Sequence, residues 1–352
     1  MQLPLTILVP TRNRPAFLRR LLTYFKAIPP AAIIRIIDSS QGASLRENRL
    51  TVQSFADALQ LEHVEDSTGM ISKCRKAMER VETPYTAFCA DDDFLMLDAV
   101  QKCLQFLETH PDYHCAMGSW VWMNPDRQNR CHQTRCTSID DDDPTLRMRR
   151  LANHWFSTFY GVYRTASFRR AWIVTDEASD YDRARVFPET LLSMLSVLYG
   201  KLAVLPHVYY LFELHDANEH RNLPLFLDAP ARIELYQKFE TALTREIQQF
   251  SGQTESQART LVRNHYSFWE TEAPPELAPV KGLKKLVRSL RKELWVLRDR
   301  IVRNPVDVWL RRRVGEKHPL LASDYWRAGF ALAAQYPKGI PSEEAATGTR
   351  AA

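Results

Sequence analysis

The chain has 352 residues, of which 45% are hydrophobic and 25% charged, and it carries a net charge of +5. That composition is ordinary for a soluble globular protein and allows one large core or two smaller ones. No apolar stretch is long enough to span a bilayer, and the run Leu3 to Pro10 is too short and too proline-bounded for a signal peptide, so a cytosolic setting is expected.

The first half alternates short apolar runs with helix-period segments. Leu5–Val9 reads as a strand, and Arg14–Lys26 then places Phe17, Leu18, Leu21, Leu22 and Phe25 on one helical face. Ile33–Ile37 is a second strand ending at Asp38, followed by a helix from about Leu45 to Leu59 and a short strand over Leu61–Val64. Gly69–Val81 sets Met70, Ile71, Cys74, Ala77, Met78 and Val81 on one stripe. Tyr85–Ala90 is the next strand and Leu97–Leu107 the next helix. Strands alternating with helices imply a mostly parallel sheet with right-handed crossovers, flanked by helices as in Rossmann-like α/β folds.

After Tyr113 the pattern changes. Cys115–Met123 and Thr158–Arg164 read as strands separated by a polar loop, Glu189–Tyr199 as a helix, and Leu202–Leu205 and Val208–Phe212 as strands. From about Pro230 the chain reads as helical, with helices over Ile233–Phe250 and Ser256–Trp269 and a proline-rich turn from Ala273 to Pro279. The divisions expected are an α/β domain over 1–228, a helical region over 229–341 and a loose tail over 342–352. Mixed elements late in such a domain, here about 113–228, commonly build the pocket for a second substrate. The cysteines, Cys74, Cys89, Cys103, Cys115, Cys131 and Cys136, include no C-x-x-C pair. They read as reduced, mostly buried thiols, and Cys131-His132 with Cys136 lacks the second ligand pair a zinc site needs.

Three polar clusters stand at the carboxyl ends of strands. The first is Pro10-Thr11-Arg12-Asn13-Arg14, a glycine-less loop unlike a dinucleotide fingerprint or a P-loop. The second is Asp38-Ser39-Ser40. The third, Asp91-Asp92-Asp93, follows the buried run Tyr85–Ala90, and three crowded acids repel one another unless they are solvated or hold a cation. In an open α/β sheet these ends converge on one crevice, where such folds bind ligands. A divalent cation gripping a phosphate-bearing substrate is the chemistry this suggests. The second acidic run, Asp140 to Asp143, has no buried strand before it, and Asp143-Pro144 reads as an N-cap followed by proline at the first helical position.

Taken together, Ile7-Leu8-Val9-Pro10-Thr11-Arg12-Asn13-Arg14, Ile36-Ile37-Asp38-Ser39-Ser40 and Phe88-Cys89-Ala90-Asp91-Asp92-Asp93-Phe94 resemble the family 2 glycosyltransferases, which have the GT-A nucleotide-sugar fold. The resemblance covers roughly residues 5 to 215 and implies a catalytic domain over 1–228, with a nucleotide-binding part over about 1–112 and an acceptor-side part over about 113–228. It implies that Asp38, with Ser39, binds the nucleoside, and that Thr11, Arg12, Asn13 and Arg14 border the nucleotide. It further implies that Gly69 and Lys73 face the donor, although Lys73 lies off the apolar stripe and reads equally as a solvated helix position. Asp91 to Asp93 match the family's D-x-D motif: Asp91 and Asp92 would touch the donor, and Asp91 and Asp93 would coordinate Mn²⁺ or Mg²⁺. His215 or His220 would complete the metal shell. The family often has Glu-Asp before the late helix, with the aspartate as base. Here the pair is Glu189-Thr190, which makes Glu189 the candidate, with Asp182 and Asp180 as alternatives on the preceding loop.

The activity so implied is metal-dependent, inverting transfer of a sugar from a UDP-, GDP- or CDP-linked donor to a hydroxyl acceptor. The acceptor would be a carbohydrate, lipid-linked or protein-linked, in bacterial surface polysaccharide or glycoconjugate synthesis. A nucleotidyltransferase is an alternative, although it normally has a glycine-rich first loop. A non-enzymatic membrane- or nucleic-acid-associated protein with a degenerate fold is another, against which the intact acids argue. From 281 to 317 thirteen Lys/Arg face four Asp/Glu, which leaves the remainder of the chain slightly acidic. The apolar positions Leu283, Leu286, Val287, Leu290, Leu294, Leu297 and Ile301 give this segment an amphipathic helical reading. It either packs on the catalytic domain or lies on an anionic membrane surface, placing the protein at the inner face of the plasma membrane. Nucleic acid is not an expected partner, because no recognition module is present.

Overall fold

A computed structural model describes residues 3–124, 130–134, 136–181, 183–213 and 229–267. Asp182, His215, His220, the proline-rich turn, the basic segment 281–317 and the tail 342–352 lie outside the described residues.

Four parallel strands form one half of the sheet, in the order β3 (Leu61–Glu65), β2 (Ile33–Asp38), β1 (Leu5–Thr11) and β4 (Tyr85–Phe88). Every residue of β1 is buried, as near-continuous apolar strands are when helices cover both faces. The register sets Thr11 beside Asp38, and Asp38 beside Glu65. The polar residues that end successive strands are therefore neighbours in space. Crossovers are made by α1 (Pro15–Ala27), α2 (Gly42–Phe55) and α3 (Met70–Glu79). Pro15 starts α1 at a position where its missing N–H costs nothing. The helix buries Phe17, Leu18, Leu21, Leu22 and Phe25, the face its spacing predicts.

The second half is mixed. β8 (Val162–Arg164) lies antiparallel between β4 and β6 (Tyr113–Asn124), and β6 runs parallel to β9 (Lys201–Glu213). β7 (Arg130–Thr134) pairs antiparallel with the end of β6 inside the stretch expected to be a polar loop. The two late strands expected around Pro206 are one strand. Its register against β6 shifts between the pairs Met117–Val204 and Ser119–Val208, so Pro206 sits in an irregularity where no ladder N–H is required. Gly118 lies opposite, and a Cβ there would stand 2.3 Å from the His207 carbonyl oxygen. A two-residue strand, β5 (Phe94–Leu95), pairs antiparallel with β9 and brings the end of β9 against the acidic turn.

Helices α4 (Leu97–Thr109), α5 (Pro144–Asn153), α6 (Thr165–Ala178) and α7 (Val186–Tyr199) complete the layers. Asp143 caps α5 by accepting from the Thr145 N–H, so the acidic run before it is a helix start as expected. α8 (Ala229–Ser251) and α9 (Glu255–Tyr266) join the same buried core through Leu235, Phe239, Leu243, Ala258 and Leu261. A capping box of Thr254 and Gln257 opens α9. Cys74, Cys89, Cys103 and Cys115 are buried free thiols and Cys136 is half-buried. Among the described residues, no helix is long and apolar enough to cross a membrane.

Candidate active site

A cleft of about 460 Å³ opens at the carboxyl edge of the parallel strands. Thr11 and Arg12 border it from the end of β1, and Ser39 and Gln41 from the end of β2. Gly69 and Lys73 border it from the start of α3, Asp92 and Asp93 from beyond β4, and Glu189 from the first turn of α7. The three strand-end clusters thus meet at one site, as the sequence implied.

The loop after β1 is tied down on both sides. Asn13 takes a left-handed backbone conformation (φ 54°), which asparagine tolerates better than most residues. Its N–H donates to Ser40 Oγ at 2.7 Å, and its side-chain oxygen accepts from the Gln41 N–H at 3.0 Å. Asn13 therefore joins two loops and does not itself line the cleft. Arg14 does line it. Its guanidinium donates to Asp92 Oδ2 at 2.8 Å and also pairs with Asp91.

Asp38 is buried, and both of its carboxylate oxygens accept hydrogen bonds. Oδ1 accepts from the Ser40 N–H at 2.8 Å, and Oδ2 from Asn48 at 2.9 Å with His63 at 3.0 Å. Burial alone would raise its carboxyl, but the hydrogen bonds to His63, Ser40 and Asn48 outweigh burial and hold it below the usual range. Asp38 is not among the cleft-lining residues, whereas its neighbours Ser39 and Gln41 are.

Lys73 is a buried charge, not a solvated helix position. Its ammonium donates to the Thr11 carbonyl at 3.1 Å and to Ser39 Oγ at 2.8 Å, which fixes it between the ends of β1 and β2. The start of α3 also directs backbone N–H groups to this side, where anions are stabilised.

The acidic turn divides its labour. Asp91 points inward and accepts from Thr11 Oγ1 at 2.6 Å. Burial pushes its carboxyl up to about 7 despite the nearby Arg14 guanidinium. Asp92 and Asp93 line the cleft. Asp93 accepts from Tyr210 Oη and from the Glu213 N–H, each at 2.9 Å. Burial, and then repulsion from Asp92, push the Asp93 carboxyl well above its ordinary range. Each Asp93 oxygen accepts one such bond and keeps lone-pair capacity. Hard carboxylate oxygens suit a divalent cation, which Mg²⁺-type sites hold with one or two carboxylates plus substrate phosphates. Among the described residues no group of three or more His, Cys, Asp and Glu could hold a metal ion by itself.

Glu189 is half-buried and faces the cleft, with the Arg185 guanidinium 3.6 Å away. Asp180 is not among the cleft-lining residues, and its side chain accepts instead from the Arg183 N–H. Aromatic side chains that the sequence reading did not single out also line the cleft: Trp120, Trp122, Phe159, Tyr160, Tyr181 and Phe212. Trp120 and Trp122 stand two apart on β6 and so share one face of the strand, a signal readable in the sequence. Tyr160 stacks on Tyr210 at 4.4 Å between ring centroids, and Trp122 lies 4.2 Å from Phe212.

The model of the glycosyl transferase family 2 matches residues 6–172. Residues 6–172 are thus similar to the family 2 glycosyltransferases, and the fold is the GT-A fold of similar solved structures. The similar solved structures include a 1–349 fragment of Staphylococcus aureus TarS in complex with UDP-GlcNAc. It is 15% identical with a TM-score of 0.56, over 81% of this chain and 78% of that one. A longer TarS structure is 14% identical with a TM-score of 0.51, over 81% of this chain. The chain spans 46% of that longer protein. No curated protein matches the sequence.

Proposed function

We propose that the cleft binds a nucleotide-sugar and transfers the sugar to a hydroxyl group of a carbohydrate acceptor, with inversion at the anomeric carbon. Lys73, the start of α3 and the side chains of Thr11, Arg12 and Arg14 receive the nucleoside diphosphate. Asp92 and Asp93 would hold Mn²⁺ or Mg²⁺, while Asp91 keeps Thr11 and Arg14 in place behind them. When bound, the cation would neutralise charge that grows on the departing diphosphate. Glu189 would take the proton of the attacking hydroxyl. The aromatic side chains offer faces on which sugar rings can stack.

The observation that carries this reading is the lining of the cleft. Anion-binding and cation-binding groups from the strand ends, the carboxylate of Glu189 and aromatic rings all line the same cleft. Donor hydrolysis measured across a panel of UDP-, GDP- and CDP-sugars with and without Mn²⁺ tests it. One donor should be cleaved in a cation-dependent way. Asp93→Ala should abolish that cleavage in a folded protein, and retained activity would remove the cation from the account.

A further inference from the structure

Two buried charges outside the residues assigned so far converge on the acidic turn. Arg20, on the inner face of α1, is 8% exposed, and Glu213, the last residue of β9, is 0% exposed. They form an ion pair at 3.0 Å. Arg20 also donates to the Asp92 backbone carbonyl at 2.9 Å, and its guanidinium lies over the rings of Phe17 and Phe94. The Glu213 N–H meanwhile donates to Asp93 Oδ1. One pair thus grips both cleft-facing members of the turn, Asp92 by its backbone and Asp93 by its side chain.

We infer that the Arg20–Glu213 pair is a positioning device that holds Asp92 and Asp93 for a divalent cation at the nucleoside diphosphate. This rests on the function proposed above. A buried pair of this kind is a poor source of stability, since two desolvated charges gain little over apolar groups of the same size. It is, however, rigid and directional. Arg20 and Glu213 arrive from elements 193 positions apart in sequence, so the turn is fixed relative to both α1 and β9.

The test compares Glu213→Gln with the double variant Arg20→Met/Glu213→Leu. Glu213→Gln removes the charge partner of Arg20 and leaves the backbone N–H to Asp93 intact. The double variant removes both charges and fills the space. The readouts are the urea midpoint and the Mn²⁺ dissociation constant in the presence of the responding nucleoside diphosphate, followed by the electron paramagnetic resonance signal of unbound Mn²⁺. Glu213→Gln should weaken Mn²⁺ at least tenfold and lower the urea midpoint. The double variant should recover the midpoint, yet keep the tenfold loss. Recovery of Mn²⁺ affinity together with stability would overturn the inference and make the pair a packing feature. Unchanged Mn²⁺ affinity in Glu213→Gln would overturn it as well. A wild-type protein that binds no Mn²⁺ with any nucleoside diphosphate would overturn the functional reading itself.

Discussion

Lys73→Met isolates the charge that ties the first two strand ends together. In the wild type the ammonium donates to the Thr11 carbonyl at 3.1 Å and to Ser39 Oγ at 2.8 Å. Bonds to charged groups contribute about 1.5–3 kcal/mol each. Methionine keeps the stem's packing and removes the cost of burying an ammonium, which offsets part of that loss. The Thr11 carbonyl still accepts from the Ser39 N–H at 3.1 Å, so it is not left bare. The net destabilisation expected is about 2 kcal/mol, or a shift of about 0.7 M in the urea midpoint for an m-value of about 3 kcal/mol/M. Binding should suffer at least as much. Loss of a buried charge partner of the diphosphate costs about 2 kcal/mol or more, roughly a 30-fold weaker nucleoside diphosphate. Urea denaturation and equilibrium titration of the nucleotide read the two effects separately. A variant with the wild-type midpoint and wild-type affinity would refute the reasoning.

Glu189→Gln should lower transfer by about 10²–10⁴-fold while nucleoside diphosphate affinity stays at the wild-type value, as loss of a general base requires; parallel kinetics and binding measurements check the split. Gly118→Ala should destabilise the protein by about 1–3 kcal/mol or more, because the new Cβ meets the His207 carbonyl at 2.3 Å and the Tyr209 Cβ at 2.8 Å; thermal melting reads this. His114 is buried, and burial together with Arg164 and Arg147 pushes its imidazole down to about 3. The folded state therefore keeps it neutral while the unfolded chain takes up a proton below its ordinary value of 6.5, so this contribution to stability is complete above pH 6.5 and is lost as pH falls toward 3. The slope is at most about 1.4 kcal/mol per pH unit. His114→Gln should lose less stability than wild type over the same acid range in urea titrations.

The parallel half of the fold was legible because its strands are buried on both faces and end abruptly in polar residues. Thr11, Asp38 and Asp91 could be aligned on one edge from sequence alone, since a parallel register allows little else. What the side chains do at that edge was less legible. Asp38 and Asp91 are consumed by partners from other elements, Asn48 and His63 in one case and Arg14 and Thr11 in the other. Helix α6 was missed because its β-branched run Ile173-Val174-Thr175 blurs the helical period, and because Arg164 at its start provides no side-chain cap. Pro206 split β9 in the reading because the irregularity that accommodates it depends on its partner strand, which local sequence does not reveal. Arg20 and Glu213 carried no local signal at all. Their meaning comes from a contact between elements 193 positions apart.

The central claim is that a nucleoside diphosphate and a divalent cation bind together at the rim of the parallel strands. Thermal unfolding of the purified protein with UDP, GDP or CDP, each with and without Mn²⁺, tests it most directly. A ligand that binds the native state at one hundred times its dissociation constant adds about 2.7 kcal/mol. For a domain of this size that is roughly 5 °C or more. One nucleotide should give that rise with Mn²⁺ and much less without it, and Asp93→Ala should erase the difference. A rise of equal size with and without the cation, or none with any of the three, would contradict the account.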